Sequence, residues 1–143
     1  MDVLVVVAVD AERDALLAAA PGLRVAVGGV GPAAAAAATS ALLAEQGADL
    51  VISAGIGGGF APLSPGDIAV AAAIVFADLG ADSAEGFLPI SALGFGTDRY
   101  DVAARLAVEL ADRTGGHLGT ILTVATVTGA AARAAVLAQR FPD

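Results

Sequence analysis

The segment from Asp2 to Val9 reads DVLVVVAV, apolar at every position after the first and rich in β-branched residues. Polar and apolar positions do not alternate in it, so it does not suit a strand with one face in water; it has the pattern of a strand covered on both faces. Such cover needs helices on either side, and the chain supplies candidates in turn. Ala11 to Ala20 reads as a short helix ended by Pro21-Gly22, Leu23 to Val27 as a second strand, Pro32 to about Gln46 as a helix stopped by Gly47, and Asp49 to Ser53 as a third strand. The alanine run Ala33 to Ala38 inside the second helix reads as packing against a sheet. Asp67 to Phe76 is a fourth apolar run, and Ala77 to Gly96 reads as irregular. Asp98 to Thr114 reads as an amphipathic helix capped by Thr97 or Asp98, His117 to Val127 as a strand, and Thr128 to Arg140 as a last helix. Strands alternating with helices predict an α/β fold of parallel strands joined by right-handed crossovers, with ligands beyond the carboxyl ends of the strands.

Composition narrows the chemistry. With 143 residues, 57% of them hydrophobic, the chain suits one globular domain. A formal net charge of −8 opposes phosphate backbones, so no nucleic-acid partner is expected. All seven basic residues are arginine, which excludes a P-loop lysine, a Schiff-base lysine and the lysine of a kinase. Absence of cysteine excludes disulfides, thiolate zinc sites and cysteine nucleophiles, and one histidine leaves little scope for metal; no metal or cofactor is expected. Asp2 stands where an export signal would need positive charge, and the longest apolar stretch, Ile68 to Ala77, falls short of the roughly 20 residues a membrane helix needs. A cytoplasmic protein without membrane contact is expected.

Two glycine-rich turns sit at strand ends. Gly28, Gly29 and Gly31 precede Pro32, and Gly29-Val30-Gly31-Pro32-Ala33-Ala34 meets the loose form of a dinucleotide fingerprint, but the acid that should end the next strand is missing: Asp49 opens that strand, and Ser53 and Ala54 close it. Tight turning alone also accounts for these glycines. Gly55, Gly57, Gly58 and Gly59 before Pro62 are too many for an ordinary connection and suggest close approach of a ligand or of backbone. Glu12 follows the first strand almost at once, beside Asp10, Arg13 and Asp14, where parallel-sheet enzymes place catalytic groups. From the residues alone, a solvated acid favoured by the helix dipole explains it better. Asp78 and Asp82 read as loop acids, and His117 as a surface residue.

VVAVDAERDALL, VGGVGPAAAAAATSALL, DLVISAGIGGGFAPLSPGDIAVA and GTILTVATVTGAAARAAVLAQRFPD together resemble the nucleoside phosphorylase and nucleosidase superfamily along nearly the whole chain. Within it AVDAERDALL, ISAGIGGGF and TVATVTG look most like futalosine hydrolase, with methylthioadenosine/S-adenosylhomocysteine nucleosidase as the close relative. The resemblance implies a three-layer, mostly parallel mixed sheet flanked by helices. It implies hydrolysis of futalosine to release hypoxanthine on a route to menaquinone, and a homodimer or larger assembly. Where phosphorylases of this superfamily carry a phosphate-holding arginine, the matching position is Ser53, which implies water as nucleophile.

Carried over position by position, the resemblance makes Glu12 the carboxylate that activates water and places Ala8 and Val9 beside the sugar. Ile56, Gly57 and Gly58 become the loop that approaches ribose and base, and Val127 and Thr128 lie beside the base. The family's ribose-gripping Met-Glu pair and purine-protonating Asp have no counterpart here, and Phe141-Pro142-Asp143 reads as a turn into a further strand. The chain is therefore expected to be an N-terminal portion of the family's domain, truncated at the C-terminus. Lacking a general acid worth roughly 10²- to 10⁴-fold in rate, it is expected to be nearly inactive alone. A nucleotide-binding module without turnover, or the remnant of a broken gene, are the alternatives outside enzymology.

Overall fold

A computed structural model describes residues 1–142, and its backbone contacts divide the chain into two compact units, Met1–Gly57 and Gly58 onward.

The first unit is β1 (Val3–Val7), α1 (Asp10–Ala19), β2 (Arg24–Val27), α2 (Pro32–Gln46) and β3 (Leu50–Ser53). Its three strands are all parallel in the order β2-β1-β3, so the β-branched run is the central strand. Leu4, Val5, Val6 and Val7 are buried, with exposures of 1% to 7%, as an uninterrupted apolar pattern requires. Pro32 opens α2 behind Gly31, whose φ of +93° suits a residue without a Cβ, and Gly47 ends the helix at φ +66°. The packing expected of the alanine run holds on one face only: Pro32, Ala35, Ala38, Thr39 and Leu42 are half-buried at helical spacing, and no α2 residue is fully buried.

The amino ends of these strands are tied by charge. Arg24 donates to the Asp2 carboxylate at 2.6 Å, to the Gly47 carbonyl at 2.8 Å and to the Gln46 side chain at 3.1 Å. The Asp2 N–H in turn donates to the Asp49 carboxylate at 2.7 Å.

The second unit is β4 (Ala69–Phe76), β5 (Gly80–Ser83), β6 (Gly86–Pro89), β7 (Arg99–Asp101), α3 (Ala104–Thr114), β8 (His117–Thr123) and α4 (Ala131–Arg140). β4 is central, with β8 parallel on one side and β7 antiparallel on the other. Val70, Ala73, Val75 and Ala77 of β4 and its end, with Ala107 and Ala111 of α3 and Leu137 of α4, are buried.

Three expectations are corrected here. The stretch expected to be irregular holds the antiparallel hairpin β5–β6, whose half-buried Ala81, Ser83, Phe87 and Pro89 alternate with exposed neighbours. The helix expected from Asp98 starts only at Ala104, because Arg99 to Asp101 pair with Val75 to Ala73 and the strand ladder satisfies their backbone instead. The strand expected to reach Val127 stops at Thr123, and the last helix starts at Ala131; the residues between form a loop. No helix among the described residues is long and apolar enough to cross a membrane, and no group of three His, Cys, Asp or Glu among them is placed to hold a metal ion.

Candidate active site

Beyond the carboxyl end of β1 the chain turns into α1 through Ala8 and Val9, and Glu12 lies in the first helical turn. From there its side chain folds back: Oε2 accepts the N–H of Ala8 at 2.9 Å and of Val9 at 3.3 Å. This is half of a capping box; Val9 has no side-chain oxygen to complete it. Local capping thus explains part of Glu12, as the solvated-acid reading holds.

It does not explain the third bond. Glu12 Oε1 accepts the N–H of Ile56 at 2.9 Å, from the loop after β3. Gly55 makes that approach possible, since a Cβ there would lie 2.8 Å from the same oxygen. The carboxylate therefore bridges the ends of two adjacent parallel strands, β1 and β3.

Its ionisation follows. The Ile56 N–H is the largest influence holding the Glu12 carboxyl below the ordinary glutamate range; partial burial pushes the other way, and the Ala8 and Val9 N–H groups lower it further. The neighbouring acids are otherwise engaged, because Arg13 pairs with Asp10 at 2.6 Å and Asp14 at 2.8 Å. Glu12 pairs with no cation among the described residues, so its charge is held by backbone dipoles alone. Three of roughly four acceptor positions on a carboxylate are used, which leaves one for a water or a hydroxyl.

The sequence-predicted residues divide by location. Ala8, Val9, Glu12 and Ile56 are joined by the hydrogen bonds just described, and Gly57 follows Ile56 directly. The Ile56 N–H is committed to Glu12, and at Gly57 and Gly58 a Cβ would meet nothing within 4 Å. The Ile56 side chain is 93% exposed. Val127 and Thr128 lie in the loop between β8 and α4, with Val127 91% exposed. Ser53 ends β3 with an exposed side chain. Asp49 lies at the amino ends of β1 and β3, opposite to the glycine turn that follows β2, which is the wrong end for a dinucleotide's ribose.

Two residues of interest were missed. Gly55 was one of four glycines, and only its contact with Glu12 sets it apart. Asp78, read as a loop acid, accepts the N–H of Ala125 at 2.8 Å; its position just past an apolar strand was the available signal.

The chain is similar to known proteins in sequence and in fold. Residues 18–141 match the phosphorylase superfamily. Futalosine hydrolase of Streptomyces coelicolor is 48% identical over 99% of this chain and 71% of its own length. That of Acidothermus cellulolyticus is 41% identical over 97% of this chain and 66% of its own length. Among solved structures, a mutant of the Helicobacter pylori nucleosidase MTAN with 5'-methylthioadenosine in its active site is similar in fold, with a TM-score of 0.80 over 99% of this chain and 72% of that one, at 17% identity. The family match over residues 18–141 and the 48% identity to the Streptomyces coelicolor enzyme place this chain in the phosphorylase superfamily, as a member of its futalosine hydrolase family.

Proposed function

We propose that the intact enzyme hydrolyses the N-glycosidic bond of futalosine and releases hypoxanthine, as a step toward menaquinone, with Glu12 of this chain as the group that activates water. The single observation that carries the assignment of Glu12 is its hydrogen bond to Ile56. An acid that served only to cap α1 would need no partner in the loop after β3.

The chemistry suits the arrangement. Breaking an N-glycosidic bond builds positive charge on the sugar, and a fixed carboxylate both offsets that charge and takes a proton from the attacking water. Glu12 is ionised at neutral pH, and its remaining acceptor position is the one through which it would hold that water. The family resemblance assigns backbone contact with the nucleoside to Gly57 and Gly58, the flanks of the sugar to Ala8 and Val9, and contact with the base to Val127 and Thr128. Ser53 in place of a cation leaves phosphate without a charged partner at that position, which favours water as nucleophile.

The test is chromatographic. Incubation of the intact enzyme with futalosine is expected to release hypoxanthine at a rate indifferent to added phosphate, with no ribose 1-phosphate formed. Release of adenine from methylthioadenosine in preference would keep the family and change the substrate. Phosphate-dependent cleavage would overturn hydrolysis. Calorimetric titration with hypoxanthine, AMP and NAD separates binding from turnover; tight NAD binding with no affinity for purine would overturn the nucleosidase reading.

A further inference from the structure

We propose that Asp78 is a positioning residue for the purine base, acting through the loop 124–130; this rests on the assignment of Val127 and Thr128 to the base made above.

The two units use the same device. In the first, a carboxylate just beyond the central strand β1 accepts a backbone N–H from the loop after the parallel neighbour β3. In the second, Asp78, just beyond the central strand β4, accepts the N–H of Ala125 at 2.8 Å from the loop after the parallel neighbour β8. The direction of control is set by what holds each partner. Ala77, beside Asp78, is fully buried; its N–H donates to Thr123 at 2.9 Å and its carbonyl accepts from Arg140 at 2.9 Å. Arg140 is itself stacked 4.3 Å from the Phe87 ring centre. The backbone that carries Asp78 is therefore fixed before its side chain reaches out.

The loop is the less constrained partner. Within it the Gly129 N–H donates to the Val127 carbonyl at 3.1 Å, and Asp78 is the only side chain that hydrogen-bonds to residues 124–130 among the described residues. One charge-assisted hydrogen bond thus sets where the loop leaves β8, two residues before the exposed Val127. A hydrophobic side chain in open solvent contributes more to recognition of a flat base when its position is set beforehand, because less ordering is left to oppose binding.

The experiment is calorimetric titration of the full chain with hypoxanthine, beside thermal melts of each variant. Asp78→Ala is expected to weaken hypoxanthine binding by about tenfold, the loss typical of one hydrogen bond to a charged group. Asp78→Asn, whose amide oxygen can accept the same N–H without the charge, is expected to lose less, about threefold. Unchanged affinity in Asp78→Ala with a lowered melting temperature would show a merely structural tie and overturn the proposal. Equal losses in both variants would overturn it too, since an acceptor kept in place for the Ala125 N–H would then make no difference. Val127→Ala checks the reading beneath: if it leaves hypoxanthine affinity unchanged, or if the unmodified chain does not bind hypoxanthine, the assignment of the base to this loop fails and the role of Asp78 falls with it.

Discussion

The N–H of Ile56 points at Glu12 Oε1 from 2.9 Å, although 44 residues separate them in the chain. The bond makes one carboxylate answer to two strand ends, and the consequences can be separated experimentally.

In the intact enzyme, Glu12→Gln is expected to lower hypoxanthine release by about 10²- to 10⁴-fold, the range for loss of a general base. An amide has one acceptor oxygen where the carboxylate uses two, so its NH₂ must face a backbone N–H on one side. A stability loss of about 1 kcal/mol is expected alongside. Chromatography reads the first and a urea unfolding curve the second; retained turnover would remove Glu12 from the mechanism.

Gly55 and Gly57 are expected to respond differently to the same change. In Gly55→Ala the new methyl group would meet Glu12 Oε1 at 2.8 Å, so the carboxylate or the loop must shift, at a cost of about 1–3 kcal/mol. In Gly57→Ala nothing lies within 4 Å, and the melting temperature should not change. Its effect should fall on KM for futalosine, as expected where backbone closes on a ligand; unaltered KM would place the nucleoside elsewhere.

The pH dependence follows from the direction of the Glu12 shift. Its carboxyl is held below the ordinary glutamate range in the folded chain, by the Ile56 N–H above all. The associated stability is present above the unfolded glutamate's pKa and is lost as pH falls through the lowered folded value. The stability difference between the unmodified chain and Glu12→Gln should therefore be constant from neutral into weakly acidic solution and shrink only below the ordinary glutamate range. The acid limb of kcat/KM should lie in the same low region. An acid limb near neutrality would point to a different base.

Arg24→Met is expected to cost about 1 kcal/mol, because it removes partly exposed bonds to Asp2, Gln46 and the Gly47 carbonyl. These lie at the amino ends of the strands, so kcat and KM for futalosine should stay as they are. Altered turnover at unchanged stability would contradict that separation.

Much of the first unit was legible because its signals are local. Pro32 and Gly47 bracket α2 at the expected residues, and the unbroken apolar run of β1 shows in the sequence as it does in burial. The second unit depends on distant partners. Nothing local marks Arg99 to Asp101 as strand; they extend because β4 offers an open edge, to which Val102 adds a further bond at the Ala72 carbonyl. The β5–β6 hairpin hid behind glycine and acidic residues that also describe a loop. Glu12 could be singled out by its place after a strand, whereas Gly55 and Asp78 needed coordinates, since what distinguishes each is a contact with a residue far along the chain.

β1 repeats VLVVV, and a strand buried on both faces with nearly identical side chains contains little to say which residue should sit opposite which. Sliding by one position would bury much the same hydrocarbon. What such a slide cannot reproduce is the pair of polar fastenings at its ends, Asp2 with Arg24 and Asp49 at one, Glu12 with Ala8, Val9 and Ile56 at the other. The acid assigned to chemistry thereby also sets the alignment of the strand beneath it, so loss of Glu12 should loosen strand registration as well as slow turnover.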